Sequence, residues 1–427
     1  MRVVLPMAGT RGDVQPAVAL GLELQSRGHE VVLGVPPNLV DFATRAGVDA
    51  RQFGPDVQQL YSSERGQKAL AAGSTFKLMP MVAKQMAEYA DRMDSELIAV
   101  TEGADVLVST QMTEDRCQSI AEANDIPMVT LHTFPSRRNA TYPFPGSVDH
   151  SKKTPAFVNK TTWLVAENIR RVVFGRYVNR LRKRLGLPTT YKSVEGVLAG
   201  LGVPEIQIYD KHLVPGLADE WGTARPFAGF LPLSREAREA VGELADAHDD
   251  VVAWADSGPP PIYFGFGSMP IRDAQAISAI VADVCAKVGQ RALISAGWSD
   301  LAQTDAQTPS HVKVVGAVAH DIVLPHCAAA VHHGGIGTTF ESLRAGLPTL
   351  ICSVSFDQPF WGAQVARLGL GAHLPFPKLA AASLEEKLGV LLDEETGARA
   401  RLFADKLKPS DDAVARVADA IEARSTR

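Results

Sequence analysis

Arg2-Val3-Val4-Leu5-Pro6-Met7-Ala8-Gly9-Thr10-Arg11-Gly12-Asp13-Val14 opens on a short apolar strand, Arg2–Met7, and runs into a glycine-bearing loop. Val14–Arg27 then carries Val14, Val18 and Leu22 at helical spacing and closes at Gly28, a residue suited to a helix C-terminus. Glu30–Val35 reads as the next apolar strand, and Asp105–Ser109 and Pro127–His132 as further buried ones with helical stretches between. Strands alternating with helices predict a parallel sheet. The pattern then restarts. Pro261–Phe266 is a strand ending in Gly265-Phe266-Gly267-Ser268, and Asp273–Val288 is helical. Arg291–Ser295, Val312–Val315, Ala328–His332 and Pro348–Cys352 are short strands, and Thr339–Ala345 opens a helix. The expected fold is therefore α/β, two doubly wound parallel-sheet domains. Leu231-Pro232 and Ser257-Gly258-Pro259-Pro260-Pro261 flank a polar, acidic stretch that reads as a linker. The expected division is 1–235, a linker at 236–260, a second domain at 261–409, and a last helix at 410–427 that crosses back to the first domain.

The chain has 427 residues, more than a single core usually serves. Hydrophobic residues make up 46% and charged residues 21%, which excludes a disordered chain, a coiled coil or a collagen-like repeat. The net charge of −5 argues against a dedicated nucleic-acid binder. Cys117, Cys285, Cys327 and Cys352 share no CxxC spacing, so they read as small buried hydrophobes in a reducing compartment. The apolar runs are strand-sized and no targeting segment is apparent, so a cytoplasmic monomer is expected.

Lys152–Lys192 departs from this plan, with eleven basic residues against one acidic residue, Glu167. Val165, Ile169, Val173, Tyr177, Leu181 and Leu185 recur every fourth residue, which predicts a basic amphipathic helix. It has two readings: a core-docked helix with a solvated charged face, or a peripheral contact with a membrane or a lipid-like acceptor.

The strongest chemical signal is His332-His333-Gly334-Gly335-Ile336-Gly337-Thr338-Thr339, between an apolar strand and a helix. Glycines let a ligand approach the backbone, and a helix start offers free N–H groups and a positive dipole end. Thr338, Thr339 and His333 add side-chain donors, a set suited to a diphosphate. No Gly-Lys-Ser/Thr follows, so it is not a P-loop. Gly267 and Ser268 form a second loop at a strand's carboxyl end, where ligands of open α/β sheets sit. In Phe356-Asp357-Gln358-Pro359 an acid beside an amide suits vicinal sugar hydroxyls, or else Asp357 caps a helix. Asp13 is either a general base at the cleft or a helix cap. His132 ends a strand of the first half and is a candidate cleft residue, whereas His29, His212 and His248 read as ordinary surface or loop histidines. No carboxylate or histidine cluster has metal-ligand spacing, so no metal or other cofactor is expected.

These residues resemble the UDP-glycosyltransferase superfamily of GT-B fold (glycosyltransferase family 1), in particular bacterial glycopeptide-antibiotic, sterol and mycobacterial glycolipid glycosyltransferases. The resemblance is carried by Thr10–Pro16, Gly258–Ser268, His332–Thr339, Arg344–Pro348 and Asp357–Gly362. It implies two Rossmann-like domains facing across a cleft, with the acceptor on the N-terminal side and a UDP- or dTDP-sugar on the C-terminal side. On that implication His333, Gly335, Gly337, Thr338, Thr339, Ser268 and Gly267 meet the diphosphate. Asp357 and Gln358 hold the sugar, and Glu341 holds the ribose. Asp13 is the catalytic base of an inverting transfer. Relatives often stack a Trp on the base where this chain has Ala317, so Val318 backbone groups or Trp298 are expected to take that part. Arg11, His132, Phe134 and Phe144 are the candidate acceptor residues, and aromatics with cations in 134–192 suit a lipophilic natural product, sterol or glycolipid. Two other classes stand beside this one: a nucleotide-sugar epimerase of the same architecture, and a non-catalytic nucleotide-sugar-binding accessory protein.

Overall fold

The computed structural model describes residues 1–64, 66–67, 75–148, 152–244, 247–266, 274–296, 309–407 and 412–425. In the first half, β1 (Arg2–Pro6), β2 (Glu30–Val35), β3 (Asp49–Gln52), β4 (Val106–Thr110), β5 (Met128–His132) and β6 (Glu205–Gln207) form a parallel sheet in the order β3-β2-β1-β4-β5-β6. In the second, β7 (Ile262–Gly265), β8 (Ala292–Ser295), β9 (Val312–Val315), β10 (Ala329–His332), β11 (Thr349–Ser353) and β12 (Gly371–Pro375) run β12-β11-β10-β7-β8-β9, also parallel. Each sheet starts centrally, builds to one edge, then returns past its first strand. The switch points lie between β1 and β4 (Val3 beside Val106) and between β7 and β10 (Phe264 beside Val331). Ligands of such sheets sit outside the carboxyl ends at these points.

β4 and β5 are buried along their whole length, so they read as apolar runs without polar alternation. The strands absent from the sequence pattern are β3 (Asp-Ala-Arg-Gln), β6 (Glu-Ile-Gln) and β12 (Gly-Ala-His-Leu-Pro). All three lie at sheet edges, where neighbouring strands impose less apolar patterning.

The helices that matter for function are α1 (Arg11–Ser26), α2 (Val57–Ser62), α3 (Glu114–Asn124), α4 (Ala156–Arg184), α5 (Arg235–Ala240), α6 (Ile336–Arg344), α7 (Gln358–Arg367) and α8 (Ala413–Ser425). Both glycine-loop helices start three residues before the apolar spacing does: α1 at Arg11 rather than Val14, α6 at Ile336 rather than Thr339. Their first turns are glycine-rich and lack a stripe to read.

α8 packs in the first half although it follows the second. Ala413, Val417, Ala418 and Ile421 join the cluster of Val3, Leu20 and Val31. Arg27 Nη1 donates to Asp419 (2.6 Å) and Glu422 (2.9 Å), and His29 Nε2 meets Glu422 at 2.7 Å. His29 is thus part of a clamp and not a bystander. The halves also share an apolar cluster, with Tyr142, Tyr209, Leu213 and Trp221 from one side and Ile336, Phe360, Trp361 and Phe403 from the other. The four cysteines are free and buried. No helix among the described residues is long and apolar enough to cross a membrane.

The basic helix, α4, divides. Its every-fourth-residue stripe does not keep to one face, because four residues turn an α-helix about 40° past a full circle. Tyr177 and Leu181 are buried, whereas Val165 and Ile169 are 51% and 37% exposed. Much of the basic charge is spent inward. Arg170 reaches Glu114, Asp115 and Glu195, Arg182 reaches Glu122, and Arg180 reaches Asp91 and Asp94.

Candidate functional site

Asp13 sits in the first turn of α1, at the third helical residue and not at the cap. Its Oδ2 accepts from the Thr10 N–H at 2.9 Å, which fixes the carboxylate over the loop. Gly9, at φ +131°, makes room for it: a Cβ there would fall 2.1 Å from Asp13 Oδ2. Burial raises the Asp13 pKa to about 7, the Thr10 N–H opposes the rise, and the nearby charge of Asp357 adds to it. Asp357 itself is raised to about 6 by burial, with the Trp361 N–H opposing. The charge of Asp357, from the second half, thus acts on Asp13, from the first.

Asp357 stands at the N-cap position of α7 without a capping bond from its side chain; its Oδ2 accepts instead from Trp361 Nε1 at 2.9 Å. Gln358 Oε1 accepts from the backbone N–H groups of Val354 (2.9 Å) and Ser355 (3.3 Å), which leaves its amide NH2 for another partner. Between them and the strand, Phe356 holds a left-handed φ of +58°, an uncommon conformation for a bulky residue.

The glycine loop after β10 lies against this turn. Gly334 has φ +92°, and a Cβ on it would meet Ile351 Cγ2 at 2.4 Å and Gln358 Cβ at 3.4 Å. His332 is structural. Its Nδ1 accepts from the Gly334 N–H at 3.0 Å and its Nε2 faces Ser342 Oγ at 3.2 Å, and it is wholly buried. His333 lies over the start of α6, where a Cβ on Gly335 would fall 2.6 Å from its Nε2. Burial lowers the His333 pKa to about 4, although the Gly265 backbone favours its proton, so the ring is neutral at pH 7. Its Nδ1 completes no hydrogen bond among the described residues. Gly335, Gly337 and Thr338 are partly exposed at the helix start. Thr339 is not available there: it is fully buried and its hydroxyl donates to the Gly335 carbonyl at 2.9 Å. Gly267, Ser268 and Trp298 lie outside the described residues.

Glu341 is partly buried and accepts from Arg344 at 2.6 Å, and burial raises its pKa. Val318 packs against the cluster of Tyr263, Leu293 and Val323. Arg11 is engaged by Glu243 and lies 4.6 Å over the Phe42 ring, so its charge is directed at the linker and not free toward the cleft. Burial, with Arg238 beside it, lowers its pKa to about 10.

His132 does not line an open cleft, because it has no exposed surface. Its Nδ1 faces Gln207 Nε2 at 3.2 Å and its Nε2 is 3.6 Å from Glu114. Glu114 is gripped by Arg137 (2.7 Å) and Arg170 (2.6 Å), and Arg137 also donates to Glu205 (2.9 Å). This buried network braces the carboxyl end of the first sheet. Phe134 packs against the interdomain cluster, and Phe144 meets Trp163 edge-on at 5.2 Å. Phe144 also lines a groove of about 330 Å³ with Phe157, Val158, Val165, Ala166 and Ile169.

The sequence pattern does not reveal three residues near the cleft. Tyr61, on α2, crosses to pack against Val354, as Phe376 does, and the charges of Asp13 and Asp357 both act on its hydroxyl. Arg238, on the linker helix α5, donates to both oxygens of Asp321 at 2.6 and 2.5 Å. His320 Nε2 meets the Tyr263 hydroxyl at 2.9 Å. Tyr61 and Arg238 stand in polar stretches and His320 in an apolar one, and no repeat marks any of them. His248, likewise, is buried and accepts from the Ala319 N–H at 2.7 Å. Among the described residues, no group of three or more His, Cys, Asp or Glu is disposed to hold a metal.

Comparison with known proteins matches residues 3–143 to the glycosyltransferase family 28 N-terminal domain, and residues 281–421 to the C-terminal domain of proteins like erythromycin biosynthesis protein CIII. An uncharacterised glycosyltransferase of Mycobacterium tuberculosis is 37% identical over 430 residues, covering 100% of both chains. A sterol 3-beta-glucosyltransferase of Arabidopsis thaliana is 30% identical over 436 residues, covering 98% of this chain and 67% of its own. Among solved structures, the kitacinnamycin glycosyltransferase superposes with a TM-score of 0.71 at 18% identity, covering 99% of this chain and 98% of its own. SsfS6 of Streptomyces sp. SF2575, complexed with thymidine diphosphate, superposes at 0.62 and 17% identity over 99% of both chains.

Proposed function

The chain belongs to the glycosyltransferases of GT-B fold, and from that premise we propose that it transfers a sugar, with inversion, from a nucleoside-diphosphate sugar to a hydroxyl of a lipophilic acceptor. The observation that carries the reading is that Asp357, across from the first half, bears on Asp13 while Gly334 of the His333 loop packs against Gln358, all at the carboxyl ends of the two sheets.

In this reading the acceptor hydroxyl gives its proton to Asp13 as its oxygen attacks the anomeric carbon. The bond from that carbon to the diphosphate oxygen breaks, and the diphosphate leaves with the bonding electrons. A base with a pKa near 7 is matched to neutral pH. The departing charge is met by neutral His333 donating a hydrogen bond and by the N–H groups opening α6, fixed in advance by the fold. The scheme calls for no metal. Asp357 and the free Gln358 amide hold sugar hydroxyls. Tyr61 closes one wall and limits water, and Phe134 and Phe144 mark the acceptor side. Thymidine diphosphate in SsfS6 makes dTDP-sugars the first donors to try, with UDP-sugars beside them.

The test is calorimetric binding and donor hydrolysis across dTDP- and UDP-sugars without acceptor. One sugar nucleotide is expected to bind selectively, and His333→Ala to weaken it by roughly ten- to a hundredfold, the worth of a hydrogen bond to a charged group. No binding of any sugar nucleotide up to millimolar concentration would sink the proposal.

A further inference from the structure

We propose that the N-terminal half of α4 is a seat for an anionic lipid surface. Five of the twelve large hydrophobic residues exposed among the described residues lie on this part of the helix, between residues 157 and 172: Phe157 (72%), Leu164, Val165, Ile169 and Val172 (74%). At about 100° per residue they fall within one arc of about 140°, turned away from the buried Asn159, Trp163, Tyr177 and Leu181. An apolar face left in water at this density marks a docking surface.

Charge selects the occupant. Lys152, Lys153 and Lys160 are exposed and enter no ion pair among the described residues. Arg171 contacts only neutral groups there, the Tyr191 carbonyl (3.2 Å) and Asn168 Oδ1 (3.0 Å). The one acid of the stretch, Glu167, is engaged by Arg138. Around the apolar stripe there is therefore a surplus of positive charge on a chain whose net charge is −5. Cations flanking an apolar stripe match headgroup phosphates above acyl chains, and a flat bilayer needs no shape complementarity. Beyond Val172 the helix takes no part, because Arg180 and Arg182 are paired with carboxylates and no large apolar residue is exposed there beside Arg176, Lys183 and Arg184. The seat also borders the groove of Phe144, Val165 and Ile169, so a bilayer held there would stand beside the acceptor side.

In purpose this rests on the lipophilic-acceptor reading, but the test needs neither donor nor acceptor. The full chain is floated with phosphatidylcholine vesicles, with and without phosphatidylglycerol. Co-flotation is expected only with phosphatidylglycerol, weakening as salt rises. Reversing Lys152, Lys153 and Lys160 to Glu is expected to reduce partitioning by roughly a hundredfold. Leu164→Ser with Val172→Ser is expected to reduce it several-fold, while melting temperature and sugar-nucleotide binding stay unchanged. Failure to float with phosphatidylglycerol would overturn the proposal, as would flotation indifferent to both variants. A dimer in solution that Leu164→Ser with Val172→Ser dissociates would assign the face to a second copy instead. Sugar-nucleotide binding without flotation leaves the transferase reading standing alone, and flotation without sugar-nucleotide binding does the reverse.

Discussion

At the scale of single residues, Asp13 is where the proposed chemistry and its cost in stability meet. Its folded pKa, about 7, stands above the unfolded value near 3.8, so burial disfavours the carboxylate. The sign follows: the stability this group allows is complete below pH 4 and is lost as pH rises through 7. Asp13→Asn keeps an acceptor for the Thr10 N–H and removes the buried charge. It is expected to gain stability relative to the parent, by roughly 1–2 kcal/mol more at pH 8 than at pH 5 after allowing for solvent in the cleft. Transfer should fall by about 10²–10⁴-fold in the same variant, and the parent's rate should climb with pH through 7. Melting curves and initial rates at the two pH values decide it. A variant that gains nothing at pH 8, or turns over normally, removes Asp13 from the role. Asp13 was legible because a carboxylate in a glycine loop after a first strand is conspicuous. Tyr61 was not, because a lone tyrosine in Gln58-Gln59-Leu60-Tyr61-Ser62 announces nothing until α2 is folded across to Val354.

At the scale of elements, the loop between β10 and α6 shows why two adjacent glycines are not equivalent. Gly334 needs a positive φ and faces Ile351 Cγ2, part of a packed strand that cannot retreat. Gly334→Ala should therefore destabilise the protein by about 1–3 kcal/mol, seen as a lower melting temperature. Gly335 has an ordinary φ of −59°, and its added Cβ would meet the tip of the His333 ring, a side chain that can swing. Gly335→Ala should leave the melting temperature nearly unchanged and weaken sugar-nucleotide binding severalfold. Equal effects of the two on stability would show that the imidazole is held by packing and not poised for a ligand. The loop, the strands beside it and the doubled strand–loop–helix pattern could be read in advance because central parallel strands are buried on both faces and so mostly apolar. The edge strands β3, β6 and β12 could not, and the face of α4 was misjudged because an i, i+4 stripe winds around the helix. Which of its arginines are free depends on Glu114, Asp94 and Glu122, carboxylates remote in sequence.

At the scale of the molecule, chain order and packing differ, because α8 leaves the second half to complete the first. Ile421 and Val417 have no exposed surface and lie in the cluster of β1, β2 and α1, locked by Arg27 and His29 on Asp419 and Glu422. A contact between the first and last tenths of the chain makes the N-terminal sheet dependent on the last helix of the chain. Ile421→Ala should cost about 2–4 kcal/mol, as other large-to-small changes in packed cores do. The loss should appear first as faster amide exchange in β1, β2 and α1, not in β7, β10 and β11. If protection fell instead in the second sheet, α8 would belong energetically to the half that precedes it. Since β10 carries the His333 loop, sugar-nucleotide binding should outlast the loss of the N-terminal sheet on warming. Transfer, which needs Asp13 and Asp357 in one space, should stop with it. The gap between the two temperatures would measure how far each half folds by itself.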